Sequence, residues 1–179
     1  MLQRYKASLL VVGILVLLPM TVSAYSYSGY KWAGSGTTVD SGDSSWPSSW
    51  TTPLANAMSA WNGASSPFTF SVGSGHKFKV GSVSNSAAVA ETNTTRIGTT
   101  IINALTTFNQ NLNFSTTGES GKHDVRNAAT HELGHWLRLL DLYGSGDTSK
   151  TMYGNFSLGE TLKRTLEADD LNGINYIYP

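Results

Sequence analysis

The stretch His131-Glu132-Leu133-Gly134-His135 constrains the fold of this chain more than any other part of it. On an α-helix, residues four apart lie above one another on one face. His131 and His135 can therefore offer two imidazole nitrogens to one metal ion. Glu132, one step round the helix, sits beside that point without having to ligate it. A carboxylate there can take a proton from a water that the metal activates. The segment must then be helical, and other parts of the chain must fold over its metal-facing side.

A helical pair supplies two ligands, whereas a catalytic zinc usually takes three from the protein and leaves one position open. The third must come from later in HELGHWLRLLD or from beyond it. Asp141 lies six residues past His135, and Met152 stands within Thr151-Met152-Tyr153-Gly154. The tail 162–178 contains TLEADDLNGINYIY in part. Taken together, these residues resemble the metzincin zinc peptidases, and within them the matrixins. The pattern is HExxHxxGxxH with Asp141 at the last ligand position, a Met-turn at Met152 and a closing helix. The resemblance is clear over 124–179. It implies an α+β zincin fold, a twisted and mostly parallel mixed sheet over the active-site helix with a C-terminal helix beneath the cleft. It also implies His131, His135 and Asp141 as zinc ligands, Glu132 as the catalytic carboxylate and Met152 as a packing support. Of Asp169 and Asp170, one would bind the Met-turn backbone and the other could receive the mature amino terminus, with solvated helix-end carboxylates as the alternative. A substrate peptide would lie extended along an edge strand, for which 87–93 is the candidate.

Arg138 departs from the pattern, which places glycine where the chain turns towards the third ligand. Glycine adopts positive φ without steric cost; another residue there costs roughly 1–2 kcal/mol. Either the turn forms regardless, or the helix runs on through Leu139 and Leu140 and Asp141 points elsewhere. Glu160 and Glu167 are the rival third ligands of a two-His, one-Glu site, although Glu167 also suits the first turn of the last helix. His123 reads as an exposed loop histidine and His76 as an exposed start of a strand. Tyr153, adjacent to Met152, is not expected to bind metal. Asp141 and Asp147 flank a Gly-rich segment that could take calcium, but the spacing matches no EF-hand loop.

Residues 1–24 read as a signal peptide: Arg4 and Lys6, an apolar run over 7–22, then Val22-Ser23-Ala24. An uncleaved anchor is the alternative, though the run is short for a membrane span. The expected product is a secreted, extracellular domain over 25–179, monomeric and free of membrane. There are no cysteines, so neither disulfides nor a latency thiol are available, and the propeptide that keeps matrixins latent is not expected. The formal net charge is zero and no Lys/Arg cluster stands out, which argues against nucleic acid as a partner. The function this predicts is hydrolysis of protein or peptide bonds with one catalytic zinc. A carboxylate in place of a third histidine makes the zinc a weaker Lewis acid, so the optimum should be neutral to alkaline. A secreted binding or structural domain without turnover is the competing class, and Arg138 is the feature that favours it.

Hydrophobic periodicity places the remaining elements. Leu54, Ala57, Met58 and Trp61 recur at helical spacing over 53–62. Strands are expected within 30–39, over 68–72 and 76–83 with a turn at Gly73-Ser74-Gly75, and over 87–92 and 101–108, with a helix as the alternative for 101–108. Asp124 is the expected N-cap of the motif helix. The loop 154–159 is expected to shape the specificity pocket.

Overall fold

A computed structural model describes residues 25–179; the expected signal peptide at 1–24 lies outside the described residues. The described chain forms β1 (Gly36–Asp40), α1 (Thr51–Asn62), β2 (Thr69–Gly81), β3 (Ala90–Ile97) and β4 (Thr100–Asn109). The short strands β5 (Phe114–Ser115) and β6 (His123–Asp124) follow, then α2 (Val125–Trp136) and α3 (Ala168–Ile177). The four long strands form a mixed sheet in the order β1-β2-β4-β3, with β3 antiparallel at one edge and the other two pairings parallel. This is the α+β architecture that the resemblance implied.

The apolar stripe of α1 is the face it buries: Leu54, Ala57, Met58 and Trp61 are all inside. Pro53 is tolerated because it lies in the first turn, where its missing N–H has no intrahelical partner. The Trp61 indole donates to Thr130 O at 2.8 Å, which fixes α1 against α2. Beneath the sheet, Trp46, Phe78 and Phe108 pack with ring centroids 5.2 to 6.1 Å apart. Tilted and edge-on arrangements at such separations are the favoured geometry of aromatic pairs. That layer gives α2 a rigid floor.

Two strand expectations need correction. The segments 68–72 and 76–83 belong to one strand, because the Gly73-Ser74-Gly75 turn is an irregularity inside β2. Val39 pairs with Val72 and the next residue, Asp40, with Lys77, so Gly73 to His76 are passed over. Gly73 is needed there, since a Cβ would lie 2.8 Å from Thr38 Cγ2. The edge strand is also later than expected, running 90–97 rather than 87–93. Residues 87–89 precede the strand, where Asn109 Nδ2 donates to Ala88 O.

Candidate active site

Helix α2 starts where Asp124 caps it, its Oδ1 accepting from Asn127 N at 2.9 Å. The Arg164 guanidinium donates to both oxygens of the same buried carboxylate, at 2.8 and 2.6 Å, and so joins the motif helix to the tail. Ten of the helix's residues are buried, including His131 and Glu132.

The far end of α2 resolves the Arg138 question. Arg138 has φ 71 and is the one non-glycine residue with positive φ among the described residues. Its N–H donates to His135 O and that of Leu139 to Gly134 O, both at 3.0 Å. These are the paired bonds of a Schellman ending, with arginine in the seat usually held by glycine. The strain of roughly 1–2 kcal/mol is offset by what the side chain does. Arg138 donates to Ser28 Oγ and Thr94 Oγ1 and lies 4.1 Å from the Tyr30 ring centroid. A glycine would relax the backbone and lose all three contacts.

Past this turn the chain is held on both sides of Asp141. Leu140 N donates to Ser26 O, while Leu142 N donates to Met152 O and Gly154 N to Leu142 O. The N-terminal segment and the Met-turn therefore grip the residues flanking Asp141, and its carboxylate is carried back over the histidines. Asp141 Oδ1 lies 3.1 Å from His131 Nε2 and 3.5 Å from His135 Nε2.

These separations suit a tetrahedral ion. Zinc–ligand bonds of ~2.0–2.1 Å place neighbouring ligand atoms ~3.3 Å apart, between the two values found. The outer nitrogens agree with this. His131 Nδ1 is 2.7 Å from Thr151 O and His135 Nδ1 2.8 Å from Leu139 O. A carbonyl can only accept, so each Nδ1 carries the proton and each Nε2 keeps its lone pair for a ligand. His131, His135 and Asp141 form the one group of three or more converging ligand side chains among the described residues.

Met152 is buried directly beneath α2. A Cβ on Gly134 would come within 2.2 Å of its sulfur and 3.0 Å of Trp61. The glycine of the motif is thus the gap that admits Met152. Helix α3 supports the turn from below. Asp170 Oδ2 accepts from Thr151 N and from Glu167 N, while Thr151 O is the acceptor for His131. Glu167 and Asp170 form a capping box at the start of α3, which uses Glu167 as the first turn's acceptor, away from the histidines. Asp169 is 3.4 Å from Lys150. Glu160 pairs with the fully buried Lys163, which also donates to Asn155 O and so anchors the loop after the Met-turn.

Other candidates fall elsewhere. His123 is half-buried in β6 against Phe114, not exposed in a loop, because Asn113 O draws its backbone into the small sheet. His76 is half-buried too, its ring 4.6 Å from that of Trp32. Asp147 pairs with Lys150 and accepts from the N–H of Gly144, and it is not part of the cluster that Asp141 joins.

The site opens into a cleft of about 620 Å³, lined among others by Thr92, Glu132, His135, Leu140, Tyr143 and Phe156. Several of these had no signal in the sequence. Phe156 packs edge-on to His131 at 4.9 Å. Tyr143 lies over Gly154, where a Cβ would be 2.5 Å from its hydroxyl. Burial, with the charge of Asp141, pushes the Tyr143 phenol up.

Before a metal takes the two Nε2 atoms, burial opposes protonation of His135. The hydrogen bond to Asp141 and the charges of Glu132 and Asp141 outweigh it, so its pKa is raised. Burial likewise pushes Asp141 up, but hydrogen bonds from His131 and His135 hold it far below the usual carboxylate range. The raised histidine contributes stability below its unfolded value of about 6.5 and loses it as pH climbs through the folded value. The depressed aspartate contributes above about pH 4 and loses it only in strong acid. Zinc has to displace that histidine proton. Thermal unfolding with and without chelator should therefore show a larger zinc stabilisation at about pH 8 than at about pH 5.5. Equal shifts at both would contradict this account of the site.

Helix, left-handed turn, a carboxylate meeting both histidines and an underlying methionine together define the metzincin class of fold. Residues 49–179 match the family model for Matrixin, and the chain belongs to that family. Matrixins are zinc metallopeptidases, typically secreted, that act on protein substrates. No curated protein matches the chain. Among the described residues, no helix is long and apolar enough to cross a membrane.

Proposed function

We propose that this protein is a secreted zinc-dependent endopeptidase in which His131, His135 and Asp141 hold the metal and Glu132 is the general base. The observation that carries this reading is the convergence of three ligand atoms beside a buried carboxylate that faces an open cleft. Zinc, when bound, supplies Lewis acidity that lowers the pKa of a water and polarises the scissile carbonyl. Glu132 takes the proton of the attacking water and returns it to the leaving amine. Thr151 and Leu139 hold the two imidazoles by their outer nitrogens, and Met152 keeps α2 at its height. The substrate is an extended peptide lying along β3, whose second edge no strand occupies among the described residues. The competing reading of a binding domain rested on Arg138 displacing Asp141. With Arg138 in the left-handed turn and Asp141 at both histidines, that support is gone.

Cleavage of casein, an unstructured substrate, by the purified protein tests the reading. Chelation should abolish cleavage and added zinc restore it. The rate should peak at neutral to alkaline pH, because the carboxylate ligand weakens the metal as a Lewis acid. A folded, zinc-loaded protein that cleaves no unstructured substrate would overturn the proposal, and a peak near about pH 5 would overturn the assigned ligand set.

A further inference from the structure

Helix α2 has a second pair of residues four apart, Glu132 and Trp136, one step round from the histidines. Both point at the sheet, where Thr92 of β3 and Thr106 of β4 are direct cross-strand partners. The four side chains form a continuous hydrogen-bonded row. Trp136 Nε1 donates to Thr106 Oγ1 at 2.8 Å, the two threonine hydroxyls are 2.7 Å apart, and Thr92 Oγ1 donates to Glu132 Oε2 at 2.6 Å. Thr106 is fully buried and Glu132 nearly so.

The direction of the row follows from the chemistry of its ends. An indole N–H can only donate, and an ionised carboxylate can only accept. Thr92 spends its single hydroxyl proton on Glu132, so Thr106 must spend its own on Thr92 and accept from Trp136. Each hydroxyl, that of buried Thr106 and that of half-buried Thr92, is then satisfied once as donor and once as acceptor. Suppose Glu132 carried a proton on Oε2 and donated it to Thr92. Thr92 would have to donate to Thr106, whose own proton would be left without an acceptor in a sealed site, an arrangement that folded proteins avoid. Oε1, by contrast, has no hydrogen-bond partner among the described residues, and Glu132 lines the cleft.

We propose that Trp136, Thr106 and Thr92 form a one-way relay that orients the Glu132 carboxylate and confines the transferred proton to Oε1. This rests on the peptidase reading above. The attacking water's O–H bond breaks, its proton bonds to Oε1, and the same proton leaves Oε1 for the departing amine nitrogen. Oε2 accepts from Thr92 throughout. Thr92, Thr106 and Trp136 are positioning residues, and the edge strand that receives the substrate is also the one that holds the base.

Thr92→Val keeps the β-branched shape and removes the donor. In the zinc-loaded protein it should lower kcat on a casein-derived peptide roughly 10- to 100-fold, the scale of a misplaced catalytic group, with KM and zinc affinity unchanged. Thr92→Ser should recover most of the loss. The Trp136 indole N–H resonance, identified by its absence in Trp136→Phe, reports the row without turnover. It should move in Thr92→Val and in Glu132→Ala, and stay near its wild-type position in Glu132→Gln, which keeps an acceptor for Thr92. Unchanged kcat in Thr92→Val, equal losses in the valine and serine variants, or a loss carried by KM would each overturn the relay. If the wild type itself cleaves nothing, the peptidase reading fails. The indole resonance still decides the relay: immobility in both Thr92→Val and Glu132→Ala overturns it.

Discussion

Replacing Glu132 with glutamine is expected to lower kcat by about 10²–10⁴-fold, the range over which a positioned general base contributes. The substitution removes almost nothing else. Glutamine is nearly isosteric, and its carbonyl oxygen can still accept from Thr92 Oγ1, which lies 2.6 Å from Glu132 Oε2. Glu132 contributes no atom to the His131, His135 and Asp141 cluster, so zinc should bind with unchanged stoichiometry. The other face of the group now carries an amide, which has no basic lone pair for the proton of water. Metal content and thermal unfolding, measured beside peptide hydrolysis, separate a lost base from a damaged site. A variant retaining more than about a tenth of the wild-type kcat would remove Glu132 from the role of base.

Gly134→Ala should destabilise the protein by about 3 kcal/mol, the upper part of the range for overpacked cores. The sign is unusual. Inside an ordinary helix the same change stabilises by up to ~1 kcal/mol, because glycine loses more backbone entropy on folding. Here a Cβ would come within 2.2 Å of Met152 Sδ and 3.0 Å of Trp61. Met152 and Trp61 are buried, so neither can swing into solvent. The helix or the Met-turn must therefore shift. Either shift disturbs His131, whose Nδ1 bonds the carbonyl of Thr151, the residue before Met152. For a domain of this size 3 kcal/mol corresponds to a fall in Tm of roughly 6–12 °C, and zinc affinity should weaken with it. Unfolding at or above the wild-type temperature would mean that the methionine does not set the height of the helix.

Local chemistry made much of the architecture legible. The stripe of Leu54, Ala57, Met58 and Trp61 became the buried face of α1, and Asp124 became the N-cap of α2. Such features depend on residues within a turn or two of each other, where side-chain type and period leave few choices. Glu167 at the start of α3 is of the same kind. The strand assignments were weaker. Gly73-Ser74-Gly75 has turn composition, yet pairing of β2 with β1 before it and with β4 after it carried the strand through. The edge strand was displaced by three residues for a similar reason: its limits depend on β4, not on its own residues.

The sequence by itself determined which groups could do chemistry, two imidazoles and a carboxylate on one helix and a second carboxylate six residues on. Those groups are set by side-chain type and helical spacing, which local interactions enforce. It left open whether Asp141 reaches the histidines, because a left-handed arginine is unfavourable on local grounds alone. Only the tertiary structure decided that. Tyr30, Ser28 and Thr94, all distant in sequence, hold Arg138 in the turn, and pairing with Ser26 and Met152 aims the residue between. The threonines behind Glu132 belong to the same class. Thr92 and Thr106 are unremarkable strand residues until cross-strand register sets their hydroxyls side by side beneath the helix, and register is a property of the whole sheet.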